Sequence, residues 1–195
     1  SGGSTQVGKM GPADDEGGKF VSKVLRETEI VWDEILPQQT GKQYVQPKLV
    51  LFTDQVDSAC GTADSAVGPF YCPGDTNLYI DLGFYQTMKD QLNADGDFAR
   101  AYVVAHEVGH HVQNLLGTSN KVQRMRAQLS GKDFNKISVR MELQADYFAG
   151  VWAHYAKDLH IDEQDVRDVM NAASQIGDDT LQKRSQGRVV PRSEE

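Results

Sequence analysis

His106-Glu107-Val108-Gly109-His110 sets two imidazoles four residues apart, with a carboxylate beside the first. On a helix each residue turns by about 100°, so positions four apart fall about 40° from each other on one face. His106 and His110 can then offer two nitrogens to one metal ion. Glu107 stands about 100° round from His106, at the flank of that ion. There it can reach a metal-bound water without being a ligand. Two helical His ligands with a glutamate base beside them are the arrangement of a zinc-dependent hydrolase. His111 falls about 140° from His106 and so cannot join the same ion. It reads as a surface group or as a support behind a ligand.

This chemistry requires residues 98–116 to form a buried helix. The bland alternative is a polar face carrying two histidines, and a motif this short also arises by chance. Tyr102, Val103, Val104, Ala105, Val108, Val112, Leu115 and Leu116 make the segment apolar on most sides, which predicts burial. Buried His and Glu need partners, and a metal ion supplies them. Gly109 in a helix interior costs roughly 1 kcal/mol relative to Ala, which implies that something packs close to the backbone there. Asp97 is the expected N-cap and Gly117 the expected end.

A catalytic zinc usually takes three protein ligands and a water. The metzincin pattern needs Gly at 113 and His at 116, where this chain has Gln113 and Leu116. In Glu142-Leu143-Gln144-Ala145-Asp146 two carboxylates share one face of a further helix. Glu142 is the expected third ligand, by the precedent of two histidines with one glutamate. Asp146 is then expected to accept a hydrogen bond from the outer nitrogen of a ligand histidine, holding its tautomer and orientation. The bland reading of the pair is a solvated acidic face. Met141, Leu143, Ala145, Tyr147, Phe148 and Ala149 crowd around it and argue otherwise. His154 and His160 are the alternative third ligands.

Around this centre the chain reads as α+β and mainly helical. Lys19 to Leu36 carries Phe20, Val24, Thr28, Val31 and Ile35 at helical spacing, with Pro37 as the stop. Leu49 to Phe52 reads as a strand, and Thr53 to Asp75 as loop. Asn77 to Phe84 alternates as a half-buried strand should, and Phe84 to Leu92 suits a short helix. A polar connection after Gly117 leads to a helix over Ser138 to Lys157. A last helix follows from Asp162, with Val166, Val169, Met170, Ala173 and Ile176 on its apolar side. The expected division is a flexible, glycine-rich leader over 1–18, a single domain over 19–191 and a tail over 192–195.

Cys60 and Cys72 bracket a segment with Gly61, Gly68 and Pro69 that can turn back on itself. A disulfide there would stabilise by about 3 kcal/mol in the chain-entropy model; two free thiols are the alternative. The chain has 195 residues and a net charge of −8. It has no Lys/Arg run, so a nucleic-acid partner is not expected. No run of 18 apolar residues and no signal peptide is visible in the sequence.

His106-Glu107-Val108-Gly109-His110-His111-Val112-Gln113, followed by Glu142-Leu143-Gln144-Ala145-Asp146-Tyr147-Phe148-Ala149-Gly150-Val151-Trp152, resembles the bacterial neutral zinc metallopeptidase family. Gly68-Pro69-Phe70-Tyr71-Cys72-Pro73, Tyr79-Ile80-Asp81-Leu82, Ala94-Asp95-Gly96-Asp97-Phe98 and Ser185-Gln186-Gly187-Arg188-Val189-Val190-Pro191 also resemble family stretches, so that residues 19–191 are covered. The resemblance implies a gluzincin-like zincin fold with an active-site helix, a glutamate-donating helix and a small sheet whose edge could hold peptide. It implies that Cys60 and Cys72 match a cysteine pair of the family. Family members typically begin with a membrane-spanning helix, which implies an extracytoplasmic, membrane-anchored protein; this sequence contains no such helix. They also typically continue past the Arg-Val-Val-Pro stretch into a Thr-His-Gly segment, whose histidine could stabilise an oxyanion.

The expected function is zinc-dependent endopeptidase cleavage of a protein or peptide substrate. His106, His110 and Glu142 would hold Zn²⁺ and Glu107 would act as general base. Tyr147, His154, Tyr155 and His160 are candidate oxyanion donors. The rival expectation is a zinc-stabilised scaffold or interaction domain with vestigial peptidase chemistry. Glu107 speaks against it, because a structural zinc site needs no base.

Overall fold

The computed structural model describes residues 16–64, 67–83 and 97–156. The short helix over 84–92, the helix from Asp162, His160, the 185–191 stretch, most of the leader and the tail lie outside the described residues. The architecture is α+β, with helix α1 (Glu16–Thr40), strands β1 (Lys48–Phe52), β2 (Gln55–Ser58), β3 (Gly61–Asp64), β4 (Phe70–Cys72) and β5 (Asn77–Asp81), then helices α2 (Asp97–Leu115), α3 (Thr118–Arg126) and α4 (Gly131–Tyr155).

Helix α1 exceeds its expected bounds at both ends. It takes in Gly17 and Gly18, read from the sequence as leader; in the first turn N–H groups have no intrahelical partner to lose. It also continues through Pro37 to Thr40. Proline removes one donor, to the carbonyl of residue 33, and the final turn closes behind it. Thr40 Oγ1 donates to Leu36 O at 2.7 Å and Gly41 N to Pro37 O at 2.9 Å. Gly41, at φ 74°, then turns the chain out of the helix. Val21, Val24, Leu25, Thr28, Val31, Trp32 and Leu36 form the buried stripe. Thr28 is tolerated there because its hydroxyl donates to Leu25 O at 2.7 Å.

The sheet has the order β1-β5-β4, and β2 with β3 forms a separate two-stranded hairpin. β1 runs parallel to β5, with Lys48 opposite Asn77 and Phe52 opposite Asp81. β4 runs antiparallel on the other side, with Phe70 opposite Tyr79 and Cys72 opposite Asn77. The expected loop over Thr53 to Asp75 is thus corrected: it contains three short strands, β2, β3 and β4. Cys60 and Cys72 are disulfide-bonded, with Cα atoms 5.9 Å apart, tying the hairpin turn to the edge strand β4.

β5 is not half-buried as its alternation suggests. Leu78, Tyr79, Ile80 and Asp81 are all buried, because both faces of the sheet are covered. Leu78 and Ile80 pack with α1, α2, Ala149 and Trp152 in the main core. Tyr79 packs with Val50, Phe52, Val56, Ala63, Phe70 and Cys72 under the hairpin, stacked on Phe70 with ring centroids 4.7 Å apart. A large apolar side chain fully buried this way contributes roughly 1.5–3 kcal/mol.

Gly117, at φ 81°, ends α2 as the sequence predicts, but no open connection follows. α3 begins at Thr118, and α4 starts at Gly131, well before Ser138. Ser130 caps α4 by accepting from Asp133 N at 3.3 Å, and the Arg126 guanidinium lies 5.2 Å from the Phe134 ring centroid, joining α3 to the start of α4. Among the described residues, no helix is long and apolar enough to cross a membrane.

Candidate metal centre

Helices α2 and α4 cross at Gly109. A Cβ there would lie 2.8 Å from Ala145 O and 3.2 Å from Ala145 Cα, so no side chain fits. That close crossing brings residues 106 and 110 of α2 against 142 and 146 of α4. The Tyr102 hydroxyl donates to Asp146 O at 3.0 Å and fastens α4 one turn away.

The His106 and His110 rings stand perpendicular, with centroids 4.9 Å apart. Both Nε2 atoms face Glu142 Oε2, at 2.9 Å from His106 and 3.2 Å from His110. Asp146 Oδ1 lies 2.7 Å from His106 Nδ1, and Gln113 Oε1 lies 2.8 Å from His110 Nδ1. The outer nitrogens therefore meet acceptors. A proton on each Nδ1 leaves each Nε2 with a bare lone pair pointing at a carboxylate oxygen. With neutral imidazoles, these three acceptors are satisfied only by protons or a metal ion shared between them.

The local electrostatics have the same sign. Burial alone would lower His106; the hydrogen bonds to Asp146 and Glu142 outweigh it and raise the imidazole to about 10. His110 is raised against its burial by Glu142. Glu142, despite burial, is held well below the usual carboxylate range by the two histidines. Protons or a divalent cation satisfy such a site, and a metal ion must displace the protons to enter.

The donor set fits zinc. Tetrahedral ligation at about 2.0–2.1 Å places neighbouring donor atoms roughly 3.3 Å apart, close to the contacts Glu142 makes. Glu107 competes for the third position, since one of its carboxylate oxygens and one ring nitrogen from each of His106 and His110 lie within 4.8 Å of one another. Glu142 is the more closely placed of the two, since a single oxygen approaches both Nε2 atoms at ligand-edge distance. The side chains of His110 and Glu142 retain 18% and 22% exposure, so the centre is open on one side, while Asp146 and Gln113 behind it are buried.

The other candidates among the described residues are placed as follows. His154 and Tyr155 are exposed, and twelve or more helical residues beyond Glu142 put them about 18 Å along α4. Neither can complete this site. Tyr147 is exposed as well. His111 makes its contacts away from the His106–Glu142–His110 cluster, but it is not at the surface. It is 1% exposed, with Nδ1 at 2.7 Å from the Tyr71 hydroxyl and Nε2 at 2.5 Å from Val45 O. The side of α2 opposite the metal faces a second packed wall, so turning away from the ion leads inward. Burial lowers the His111 pKa, with the Val45 carbonyl opposing. Asn114 Nδ2 donates to the same Tyr71 hydroxyl at 3.1 Å, so α2 grips the edge strand β4 through these side chains. Gln113 has no site role in the sequence reading, although its short spacing from His110 places it on the same side of the helix.

Residues 2–194 match the family described as "Putative neutral zinc metallopeptidase". The "Uncharacterized protein YpfJ" of Escherichia coli strain K12 is 51% identical over 185 residues, covering 94% of this chain and 64% of that protein. The "Uncharacterized protein Rv2575" of Mycobacterium tuberculosis strain H37Rv is 42% identical over 173 residues, covering 83% of this chain and 56% of that protein. The chain thus spans less than two thirds of the length of these relatives. No solved structure matches it.

Proposed function

Because this chain belongs to the neutral zinc metallopeptidase family, we propose that it is a zinc-dependent peptidase acting on protein or peptide substrates, with Glu107 as its general base. The observation that carries the reading is the convergence of His106 Nε2, His110 Nε2 and Glu142 Oε2 beside the Glu107 carboxylate. His106, His110 and Glu142 would hold a zinc ion, which would supply a Lewis acid and make water a better nucleophile at neutral pH. Glu107 accepts a proton from the attacking water and delivers it to the leaving amine. Asp146 holds His106 in the tautomer that keeps Nε2 free. The open side of the centre admits substrate. The zincin reading of the fold is supported by the metal-facing helix α2 lying against a small mixed sheet, with the glutamate supplied from a second helix.

The Cys60–Cys72 disulfide supports placing this domain outside the cytoplasm, since such bonds persist in oxidising compartments. The test of the activity is digestion of a peptide library beside metal analysis of the same sample. Expected are zinc near one equivalent, cleavage at internal peptide bonds, loss of cleavage on chelation and its return with zinc. Stoichiometric zinc with no cleavage of any library member would favour a zinc-stabilised scaffold instead.

Asp146→Ala is expected to weaken zinc binding without abolishing it. Its carboxylate meets His106 Nδ1 rather than the metal position, and loss of such a support typically costs about 10- to 100-fold in metal affinity or activity. Competitive chelator titration beside Glu142→Ala decides it: a greater zinc loss in Asp146→Ala would exchange the two roles.

A further inference from the structure

The two metal-facing histidines have unlike partners on their outer nitrogens: a carboxylate on His106 and an amide on His110. The amide belongs to Gln113, which is fully buried. Its orientation is settled by its other contacts. The amide nitrogen lies 2.8 Å from Met141 O and 3.0 Å from Gln144 Oε1. A backbone carbonyl can only accept, so the NH₂ group must face Met141 on α4. The oxygen is then the atom that faces His110 Nδ1, and that nitrogen must carry the hydrogen. One side chain thus reads the position of α4 on one end and sets the tautomer of a ligand on the other.

We propose that Gln113 is a positioning residue of the metal centre, orienting His110 with Nδ1–H outward and Nε2 toward the ion, and coupling that orientation to the helix that carries Glu142. This rests on the zinc reading above. Met141 precedes Glu142 in the chain, so the amide ties His110 to the backbone beside the third ligand. The neutral amide also adds no negative charge behind His110. A carboxylate there would raise the basicity of the imidazole, as Asp146 does for His106.

The test uses the whole 195-residue chain and zinc alone as probe. Chelator competition on wild type, Gln113→Leu and Gln113→Glu measures affinity. Gln113→Leu removes the acceptor and is expected to bind zinc about 10- to 100-fold more weakly. Gln113→Glu keeps an acceptor for His110 Nδ1 but loses the NH₂ donor to Met141 O and Gln144 Oε1, so it is expected to bind zinc more weakly than wild type but more tightly than Gln113→Leu. Zinc affinity unchanged in Gln113→Leu, or lowered as much in Gln113→Glu as in Gln113→Leu, would overturn the proposal, because both variants lose the donor to α4 and only Gln113→Glu keeps the acceptor for His110 Nδ1. Long-range ¹H–¹⁵N spectra of the zinc-loaded wild type need no variant to fold. They are expected to show the His110 proton on Nδ1 and zinc at Nε2, and the reverse arrangement would overturn the proposal outright. Failure of the wild type to bind zinc would remove the zinc reading and this inference with it. Normal binding with insensitive Gln113 variants would remove this inference alone.

Discussion

Glu107→Gln is expected to retain zinc and fold while peptide hydrolysis falls by at least about 100-fold, the lower end of what a positioned general base contributes. The substitution is nearly isosteric, so the half-buried position on α2 is undisturbed. An amide cannot take up the proton that the attacking water must lose. The same variant separates the two carboxylates of the centre. If Glu107 were the third ligand, its amide would hold zinc poorly and metal content would fall; with Glu142 in that place, metal content stays. Purified, zinc-loaded Glu107→Gln that kept most of its activity would rule out the general-base role.

Glu142→Ala is expected to lose zinc, with metal content after dialysis falling toward that of His106→Ala. Glu142 meets both Nε2 atoms and its side chain is partly exposed, so its removal costs little packing. What it removes is the anionic donor shared by the two imidazoles. Two imidazoles alone leave a zinc site short of the three protein ligands a catalytic centre requires. Metal analysis of Glu142→Ala, Glu107→Gln and His154→Ala prepared in parallel reads the result. Normal zinc in Glu142→Ala with loss in either of the others would transfer the third position to that residue.

The centre was legible in the sequence because helical geometry converts spacing into direction. Residues 106 and 110 had to share a face, as did 142 and 146. Apolar neighbours marked the α2 segment as buried; on α4 Leu143 and Tyr147, read in the same way, are instead exposed. Gly109 carried a packing signal of the same kind, explained by Ala145 lying where its Cβ would be. The meeting of α2 and α4 was not contained in either pattern. It required the third-ligand argument, which is chemical rather than periodic.

The misreadings have physical causes. β2, β3 and β4 are three or four residues long, too short to show a period against Gly-, Asp- and Ser-rich turns. β5 alternates, yet the hairpin covers its second face, and single-strand patterns hold no information about a second layer. α3 has few apolar residues and buries Ser119, so it lacks the stripe by which helices are recognised. The helical angle directed His111 away from the His106 side of α2, but an angle cannot say whether that direction leads to water or to Tyr71. Gln113 went unassigned because an amide has no ligand signature; its role depends on which atoms lie at each end.

The central claim is that one zinc ion is held jointly by α2 and α4. Anomalous diffraction at the zinc edge, from crystals of the zinc-loaded chain, tests it most directly. The account predicts a single peak at about 2.0–2.2 Å from His106 Nε2, His110 Nε2 and Glu142 Oε2 together, with Glu107 alongside but not bonded. A peak elsewhere, a peak bound through either Nδ1, or one bonded to Glu107 with Glu142 withdrawn would contradict it.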